Sequence, residues 1–144
     1  FGRASKPRSH RLYIASGAMF ESFGDPLLDG KNTLLELRAA GRDGGAHQTL
    51  FPPSVADGER REWEGDIIAP AVVNATVLRT ACAWLALGCL ARRHIGAYPS
   101  EHPGPDLPDL LTEADPQLGE AARRWLKLPK PGTARYARLR RAAS

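Results

Sequence analysis

The spacing of apolar residues changes at Pro70, and this change constrains the fold more than any other feature of the sequence. Before Pro70, short apolar runs are separated by Gly, Asp and Asn, which is the spacing of strands and turns. These runs cover residues 11–15, 33–38, 47–51 and, with weaker alternation, 59–63. After Pro70, apolar residues recur at three- and four-residue intervals through Arg93, which indicates a long helix. The sequence therefore predicts an α+β fold, with a small antiparallel-type sheet in the first half and an α-helical C-terminal segment.

The same pattern divides the chain into four regions. They are a partial, β-rich region at residues 1–68, a long helix packing on it at 69–95, a loop and helical segment at 96–129, and a basic tail at 130–144. In the first region, residues 41–45 (GRDGG) predict the turn of an antiparallel hairpin between the second and third strands. Pro70 in the first turn and residues 92–94 in the last turn suit the two ends of the long helix.

A shorter helix is predicted within the third region. Four prolines make the stretch from Gly96 to Pro108 a loop or linker. Asp115 and Pro116 then form a cap and first-turn pair. Beyond them, an apolar stripe at helical spacing indicates core packing. The stripe consists of Leu118, Ala121, Ala122, Trp125 and Leu126.

The composition is that of a folded domain that suits an anionic partner. The chain has 144 residues, of which 42% are hydrophobic and 25% charged, so neither wholesale disorder nor a fibrous repeat is indicated. Its formal net charge is +4, and positive residues cluster at 3–11, 92–93 and 135–141. Such clusters suit a polyanion. The alternative explanation of the many arginines is biased codon usage, which would imply no anionic partner.

The sequence predicts neither a membrane-spanning nor a secreted protein. The longest apolar stretch, residues 81–91, is well short of the roughly 20 residues that span a bilayer. No apolar segment of the kind found in signal peptides follows the basic residues near Phe1. Cys82 and Cys89 lie two turns apart on one predicted helix face, too far apart to bridge each other. Free cysteines suit a reducing compartment, so we predict a cytoplasmic protein.

The common local signatures of enzymes are missing. The sequence has no Walker phosphate loop, no GxGxxG, no paired-cysteine zinc pattern, no HExxH and no GxSxG. The four histidines, at positions 10, 47, 94 and 102, are too scattered for a local metal site. Candidate chemistry therefore rests on two less ordinary stretches.

The first stretch is residues 1–13 (FGRASKPRSHRLY), in which Ser9 and His10 directly precede a predicted strand. His10 could donate hydrogen bonds to phosphate oxygens, because charge-assisted contacts are strongest with anions. The positive residues around it are Arg3, Lys6, Arg8 and Arg11. The alternative interpretation is a solvated basic terminus with an incidental histidine.

The second stretch, residues 34–63, contains Glu36 between Leu35 and Leu37 of a predicted strand. An acid within an apolar strand requires a partner or a metal ion to offset its desolvation. If the strand is half exposed, Glu36 instead faces water. The residues alone leave both interpretations open.

The order of these motifs resembles the bifunctional primase-polymerase domain of the archaeo-eukaryotic primase superfamily. The similar elements, over roughly residues 1–66, are SH before a strand, an acid in an ELR strand, a Gly-rich turn, QTLFPPS, a spacer with Gly58-Glu59, and Trp63. The resemblance implies that His10 and Glu36 are catalytic residues. His10, with Arg8 and Ser9 beside it, would contact the triphosphate of an incoming nucleotide, and Glu36 would be a ligand of Mg²⁺ or Mn²⁺. Gln48 and residues 52–54 would shape the adjoining strand and turn.

One part of the family pattern is missing. In such domains a DxD or DxE pair that holds the catalytic metals precedes the histidine, whereas this sequence has nine residues before His10. Two-metal nucleotidyl transfer needs several carboxylates, and Glu36 alone cannot position both ions. We therefore expect a fragment of a DNA primase or polymerase, cut off from its beginning and inactive by itself, whose parent protein transfers nucleotides.

The resemblance also implies partners, namely nucleotides and single-stranded template DNA. Residues from Pro70 onward resemble, more loosely, the helical segment that follows such domains in phage and plasmid proteins. A helicase domain of the same parent protein is thus a further expected partner, and a membrane is not. Two alternatives remain open. One is a non-catalytic nucleic-acid-binding or replication-assembly module, and the other is a small hydrolase using His10 with Glu36, for which no nucleophile is evident.

Overall fold

The computed structural model describes residues 1–39, 48–65, 69–96 and 106–129. Within these ranges, short strands precede three helices, which confirms the predicted α+β class. The strands are β1 (Tyr13–Ile14), β2 (Glu21–Gly24), β3 (Thr33–Leu37), β4 (Val55–Ala56), β5 (Glu59–Arg60) and β6 (Ala71–Val72). The helices are α1 (Ala75–His94), α2 (Leu107–Ala114) and α3 (Pro116–Leu126).

The strands pair two by two instead of forming one sheet. β2 and β3 are antiparallel, with Phe23 opposite Leu35, and β4 and β5 form a second antiparallel pair. β1 and β6 run parallel, with Tyr13 opposite Ala71. The sequence did not predict this parallel pair, because its strands are far apart in the chain and no local turn signal joins them.

One predicted strand does not form. Of the strand predicted at residues 47–51, residue 47 lies outside the described ranges, as do residues 41–45 of the predicted turn, and the remaining four residues are not in a strand. Pro52 and Pro53 follow this segment and lack the N–H groups that a strand ladder needs. The backbone oxygen of Gln48 accepts a hydrogen bond from a side chain, Nη1 of Arg38, at 2.9 Å. A side-chain contact thus takes the place of a ladder there.

α1 begins later than predicted. Its N-cap is Asn74, whose Oδ1 accepts hydrogen bonds from the backbone N–H groups of Thr76 and Val77 at 2.9 and 3.2 Å. Pro70 therefore precedes the helix instead of lying in its first turn, and β6 occupies part of the interval. At the other end, residues 92–94 lie in the last turn as predicted. Three basic side chains at that end are favourable to the helix dipole.

The core lies where the three helices meet β2. Phe23 of β2 is fully buried, and its ring packs edge-on against Trp125 of α3, with the ring centroids 5.5 Å apart. The predicted cap of α3 is confirmed, since Asp115 Oδ1 accepts a hydrogen bond from the N–H of Gln117 at 2.7 Å. The predicted stripe is confirmed as well, with Leu126 partly buried and its other members buried. Further core residues are Ala83, Ala86, Leu87, Leu90, Ala91, Leu107 and Leu111.

α1 is, in the described part of the chain, the one helix long and apolar enough to cross a membrane by length and composition alone. Its residues Ala83, Leu87 and Leu90 are buried against the other elements of the core. Cys82 and Cys89, on the same helix, are free thiols.

α2 and α3 approach each other closely at Gly119, and this contact is testable. A Cβ atom on Gly119 would lie 2.1 Å from Oγ1 and 2.8 Å from Cα of Thr112. Glycine to alanine in a helix interior ordinarily stabilises by about 1 kcal/mol, whereas overpacking costs about 1–3 kcal/mol. We expect Gly119→Ala to lower the free energy of unfolding by about 1–2 kcal/mol in chemical denaturation. The exposed neighbour Glu120→Ala should change it by less than about 0.5 kcal/mol, and a gain in stability in Gly119→Ala would contradict the close approach.

Candidate functional site

His10 lies where the chain enters β1. Its ring stacks on the ring of Phe1, with the centroids 4.7 Å apart and the planes 9° from parallel. The backbone N–H of His10 donates to the carbonyl oxygen of Phe1 at 3.0 Å. Oγ of Ser9 lies 3.0 Å from Nδ1 of the His10 ring. The ring is therefore oriented from two sides, which is what a ligand-contacting histidine requires.

Three aromatic rings surround this position and form, with His10, an aromatic cluster. The ring of Phe1 is 5.1 Å from that of Phe51 and 5.2 Å from that of Trp63, centroid to centroid. Phe1 is buried, whereas Phe51 is 41% exposed and Trp63 is 42% exposed. The cluster thus anchors the segment before β1 to the residues around β4 and β5, and it presents two aromatic faces to solvent.

The electrostatic environment of His10 is positive. Burial lowers the pKa of His10, and the positive charge of Arg38 lowers it next, with smaller effects from charges that include Arg61 and Lys6. His10 is consequently neutral near pH 7. Several positive groups facing one neutral imidazole produce a local field that favours an anion.

Two arginines of the predicted phosphate-binding set are held by carboxylates instead. Nε of Arg3 lies 3.4 Å from Oε2 of Glu59, and Nε of Arg8 lies 3.3 Å from Oε2 of Glu64. Ser5, between them, donates its hydroxyl to Oε2 of Glu59 at 2.7 Å. The structure thus places the predicted basic residues near one another, but it balances part of their charge.

Glu36 has a partner that the sequence analysis did not name. It lies on β3 opposite Ser22, and both Nε and Nη2 of Arg38 lie 2.8 Å from its Oε2. Nη1 of Arg38 also donates to the backbone oxygen of Gln48 at 2.9 Å and to Oγ1 of Thr49 at 3.3 Å. The acid in the apolar strand therefore has a cationic partner, Arg38, that offsets its partial burial.

The described residues do not supply a complete metal site. Nowhere in these ranges do three His, Cys, Asp or Glu side chains form a group that could hold a metal ion. Mg²⁺ and Mn²⁺ prefer several oxygen ligands, and Glu36 offers one carboxylate that already binds Arg38. The donor set around Glu36 therefore does not fit either ion by itself.

A cleft of about 340 Å³ borders His10. Its walls include the exposed side chains of Arg11 and Tyr13, the ring of Trp63, and Glu64, whose carboxylate is paired with Arg8. A second cleft, of about 420 Å³, lies along α2 and is lined by Asp106, Asp109 and Glu113 together with two uncharged residues. Its acidic lining disfavours anions, so the cleft beside His10 is the one that fits the predicted chemistry.

Sequence reasoning missed a buried ionic cluster. Asp25, which follows β2, has a fully buried side chain, and its Oδ2 lies 2.7 Å from Nη1 of Arg93 and 2.8 Å from Nε2 of His94. The sequence predicts His94 in the last turn of the long helix and gives it no ionic partner; of the other histidines, His47 and His102 lie outside the described residues. Asp25 and its partners are 68 and 69 positions apart, so no local pattern joins them.

No family model matches this sequence, and comparisons with curated proteins and with solved structures find no significant match.

Proposed function

We propose that this chain is the later part of a DNA primase-polymerase domain and that His10 contacts the triphosphate of the incoming nucleotide. The observation that carries the proposal is the position of His10. Its imidazole, three residues before β1, stacks on Phe1, lies 3.0 Å from Oγ of Ser9 and borders a cleft. Burial, followed by positive charges that include Arg38, Arg61 and Lys6, lowers the pKa of His10. A neutral imidazole among cations favours an anionic ligand, and a triphosphate is the anion that the sequence resemblance implies.

Nucleotidyl transfer in this proposal belongs to the parent protein. Mg²⁺ or Mn²⁺ would neutralise charge on the reacting phosphates there, and Glu36 would be one of the ligands. Within the described residues, Glu36 is not part of a group of three His, Cys, Asp or Glu side chains that could hold a metal ion. The isolated chain should therefore bind nucleotides without transferring them. In this proposal the protein acts in the cytoplasm and has no membrane partner.

Single-stranded template DNA is a second partner in the proposal. Phe51 and Trp63 expose about two fifths of their surface beside the positive charges around His10. Exposed aromatic rings next to positive charge suit stacked bases and a phosphate backbone. A helicase domain of the same parent protein is a third partner in the proposal, as the resemblance implies.

The alternative function is a non-catalytic nucleic-acid-binding or replication-assembly module. The ion pair between Glu36 and Arg38 favours it, because a carboxylate engaged by a guanidinium is a poor metal ligand. A module of this kind would bind single-stranded DNA with a strong dependence on salt. It would show no preference for nucleoside triphosphates over monophosphates.

The test is calorimetric titration of the isolated chain with a nucleoside triphosphate and with the matching monophosphate. We expect the triphosphate to bind more tightly, and His10→Ala to weaken its binding at least about tenfold, because a hydrogen bond to a charged group contributes about 1.5–3 kcal/mol. Binding by the wild type should also strengthen from pH 8 to pH 6, since a bound anion favours protonated His10.

The matched controls are two arginine variants. Arg11→Ala removes a positive charge from the wall of the cleft, and Arg124→Ala removes one from the exposed surface of α3. We expect Arg11→Ala to weaken triphosphate binding and Arg124→Ala to leave it unchanged. Equal binding of mono- and triphosphate by the wild type, or equal effects of the two arginine variants, would reject the triphosphate site.

A further inference from the structure

The lining of the cleft beside His10 combines two kinds of side chain. The segment that leads into β1 contributes His10 and the exposed Arg11, and the segment after β5 contributes Trp63 and Glu64. His10 and Arg11 suit an anion. Trp63 and Glu64 suit an uncharged group that has a flat face and hydrogen-bond donors, because an ionised carboxylate only accepts. A ligand that meets both requirements has an anionic part and a separate, uncharged part.

Trp63 is held in place and remains accessible. Its ring meets that of Phe1 edge-on, with the centroids 5.2 Å apart, and its centroid lies 6.4 Å from that of Phe51. Phe1 is buried, so it fixes the indole on one side, whereas Trp63 keeps 42% of its surface exposed. A fixed, accessible ring is the kind of platform on which a nucleobase stacks.

The carboxylate of Glu64 is also held in place. Its Oε1 accepts a hydrogen bond from the backbone N–H of Arg8 at 2.5 Å, and its Oε2 lies 3.3 Å from Nε of the same residue. The backbone of Arg8 has a φ of 50°, in the left-handed region that residues other than glycine seldom adopt. On the other side, a Cβ atom on Gly2 would lie 3.0 Å from Oε1. Each carboxylate oxygen has about two acceptor positions, so Glu64 can still accept hydrogen bonds from a ligand.

The rest of the lining leaves room for one small molecule. Gly65, Ala69 and Ala71 have no side chain beyond a Cβ atom, and Pro70 adds only a compact ring. The volume of about 340 Å³ lies toward the lower end of the range of about 300–1,000 Å³ for small-molecule sites. The cleft therefore fits a single nucleotide better than an oligonucleotide.

We infer that this cleft binds a ribonucleoside triphosphate, whose base stacks on Trp63 and whose ribose hydroxyls donate to Glu64, while its phosphates contact His10 and Arg11. The inference rests on the proposed function and names the base and sugar contacts of the same ligand. Stacking uses the face of a base, which every base has, so the base-pairing edge stays available to a template. Glu64 accepts from the 2′-hydroxyl, which deoxyribose lacks. Trp63 thus binds the four bases alike, and Glu64 selects ribose.

The test is calorimetric titration, without metal ions, with adenosine triphosphate, deoxyadenosine triphosphate and inorganic triphosphate. The wild type should bind adenosine triphosphate about tenfold more tightly than inorganic triphosphate, because only the nucleotide has a base to stack. It should bind deoxyadenosine triphosphate about five- to tenfold more weakly than adenosine triphosphate, because one hydrogen bond to a charged group is lost. Trp63→Leu should weaken the binding of both nucleotides about tenfold and change that of inorganic triphosphate by less than about twofold.

Glu64→Gln tests the sugar contact separately. Glutamine has one acceptor oxygen, which the N–H of Arg8 engages, so the preference for adenosine over deoxyadenosine triphosphate should fall to less than about twofold. The matched control is Glu120→Gln, which changes an exposed acid of α3 and should keep the full preference.

A second measurement keeps the stacking testable if Trp63→Leu does not fold. Trp63→Phe keeps an aromatic ring against Phe1, and the fluorescence of Trp63 reports stacking directly. Adenosine triphosphate should quench the tryptophan emission of the wild type, and inorganic triphosphate should not. Quenching that persists in Trp63→Phe would show that the base does not stack on Trp63.

The outcomes distinguish the inference from the proposed function. If the wild type binds all three ligands equally and His10→Ala weakens them all, the base and sugar contacts are wrong and the triphosphate site stands. If Trp63→Leu weakens inorganic triphosphate as much as the nucleotides, Trp63 acts only by supporting Phe1 and His10, and the stacking is wrong. If the wild type binds none of the three, both the inference and the proposed function are wrong.

Discussion

Replacement of Asp25 by alanine is expected to lower the free energy of unfolding by about 3 kcal/mol. The side chain of Asp25 is fully buried, and its Oδ2 binds both Arg93 and His94 of α1. Its Oδ1 accepts a hydrogen bond from the N–H of Leu27 at 3.0 Å, which shapes the turn after β2. Alanine would remove three hydrogen bonds and leave a buried cavity beside two basic side chains.

The loss should be smaller than for a fully buried ion pair, because the side chain of Arg93 is 44% exposed and can be solvated without Asp25. Asp29→Ala is the matched control, since Asp29 lies in the same connection between β2 and β3 and is exposed. Urea denaturation at pH 7 should show a change of less than about 0.5 kcal/mol for Asp29→Ala. Similar small losses in both variants would contradict the buried cluster.

The same residue predicts an acid-dependent stability. Burial alone would raise the pKa of Asp25, but the hydrogen bonds from Arg93 and His94 outweigh it and hold the pKa below its usual value of 3.8. A depressed pKa stabilises the folded state at pH values above the unfolded pKa, and this contribution is lost as the pH falls through the folded value. The stability difference between the wild type and Asp25→Asn should therefore shrink as the pH falls below about 4.

Local signals in the sequence predicted α3 and most of α1, but not α2, which begins at Leu107 within the stretch predicted as a loop. Asp115 and Pro116 predict the start of α3 correctly, because a cap and a first-turn proline act within one turn of helix. The apolar stripe of α3 is buried as its spacing indicates. The start of α1 was placed too early because Pro70 was taken as the first-turn signal. Asn74 is the residue that caps the helix.

The errors in the β-rich half have a different origin. The pairing of strands depends on contacts between residues that are distant in the sequence, as between β1 and β6. A strand of two residues is also too short to show an alternation of apolar and polar residues. The segment at residues 48–51 has strand-like composition, but it is held by the side chain of Arg38. Amino-acid composition does not reveal that a side chain, here Arg38, will hold such a segment by hydrogen bonds to its backbone and hydroxyl oxygens.

For the candidate site, one contact was predictable and one was not. Arg38 directly follows β3, two positions after Glu36, and extended backbone places side chains two positions apart on the same side, so their ion pair follows from local geometry. The buried Asp25 cluster joins residues 68 and 69 positions apart and has no such signal. His10 was identified from the sequence, and the structure adds its ring stack and its positive surroundings.

The second prediction with a large expected effect concerns nucleotide transfer by a longer polypeptide that contains this chain. The proposed function requires an acidic DxD or DxE pair to be encoded in frame upstream of Phe1, and a polypeptide that includes it is the one to test. Joined to that segment, the chain should hold enough carboxylates for the two metal ions that align the primer hydroxyl with the triphosphate. His10→Ala and Glu36→Ala should each reduce extension at least about a hundredfold, because such groups stabilise charge that develops during transfer.

The most direct test of the central claim is primer extension on a single-stranded DNA template by this longer polypeptide, in the presence of Mg²⁺ or Mn²⁺. Arg124→Ala, which changes the exposed surface of α3, serves as the control that should keep full activity. The account predicts template-dependent extension that His10→Ala and Glu36→Ala abolish and Arg124→Ala preserves. Extension that persists in His10→Ala, or a folded longer polypeptide that extends no primer, would contradict it.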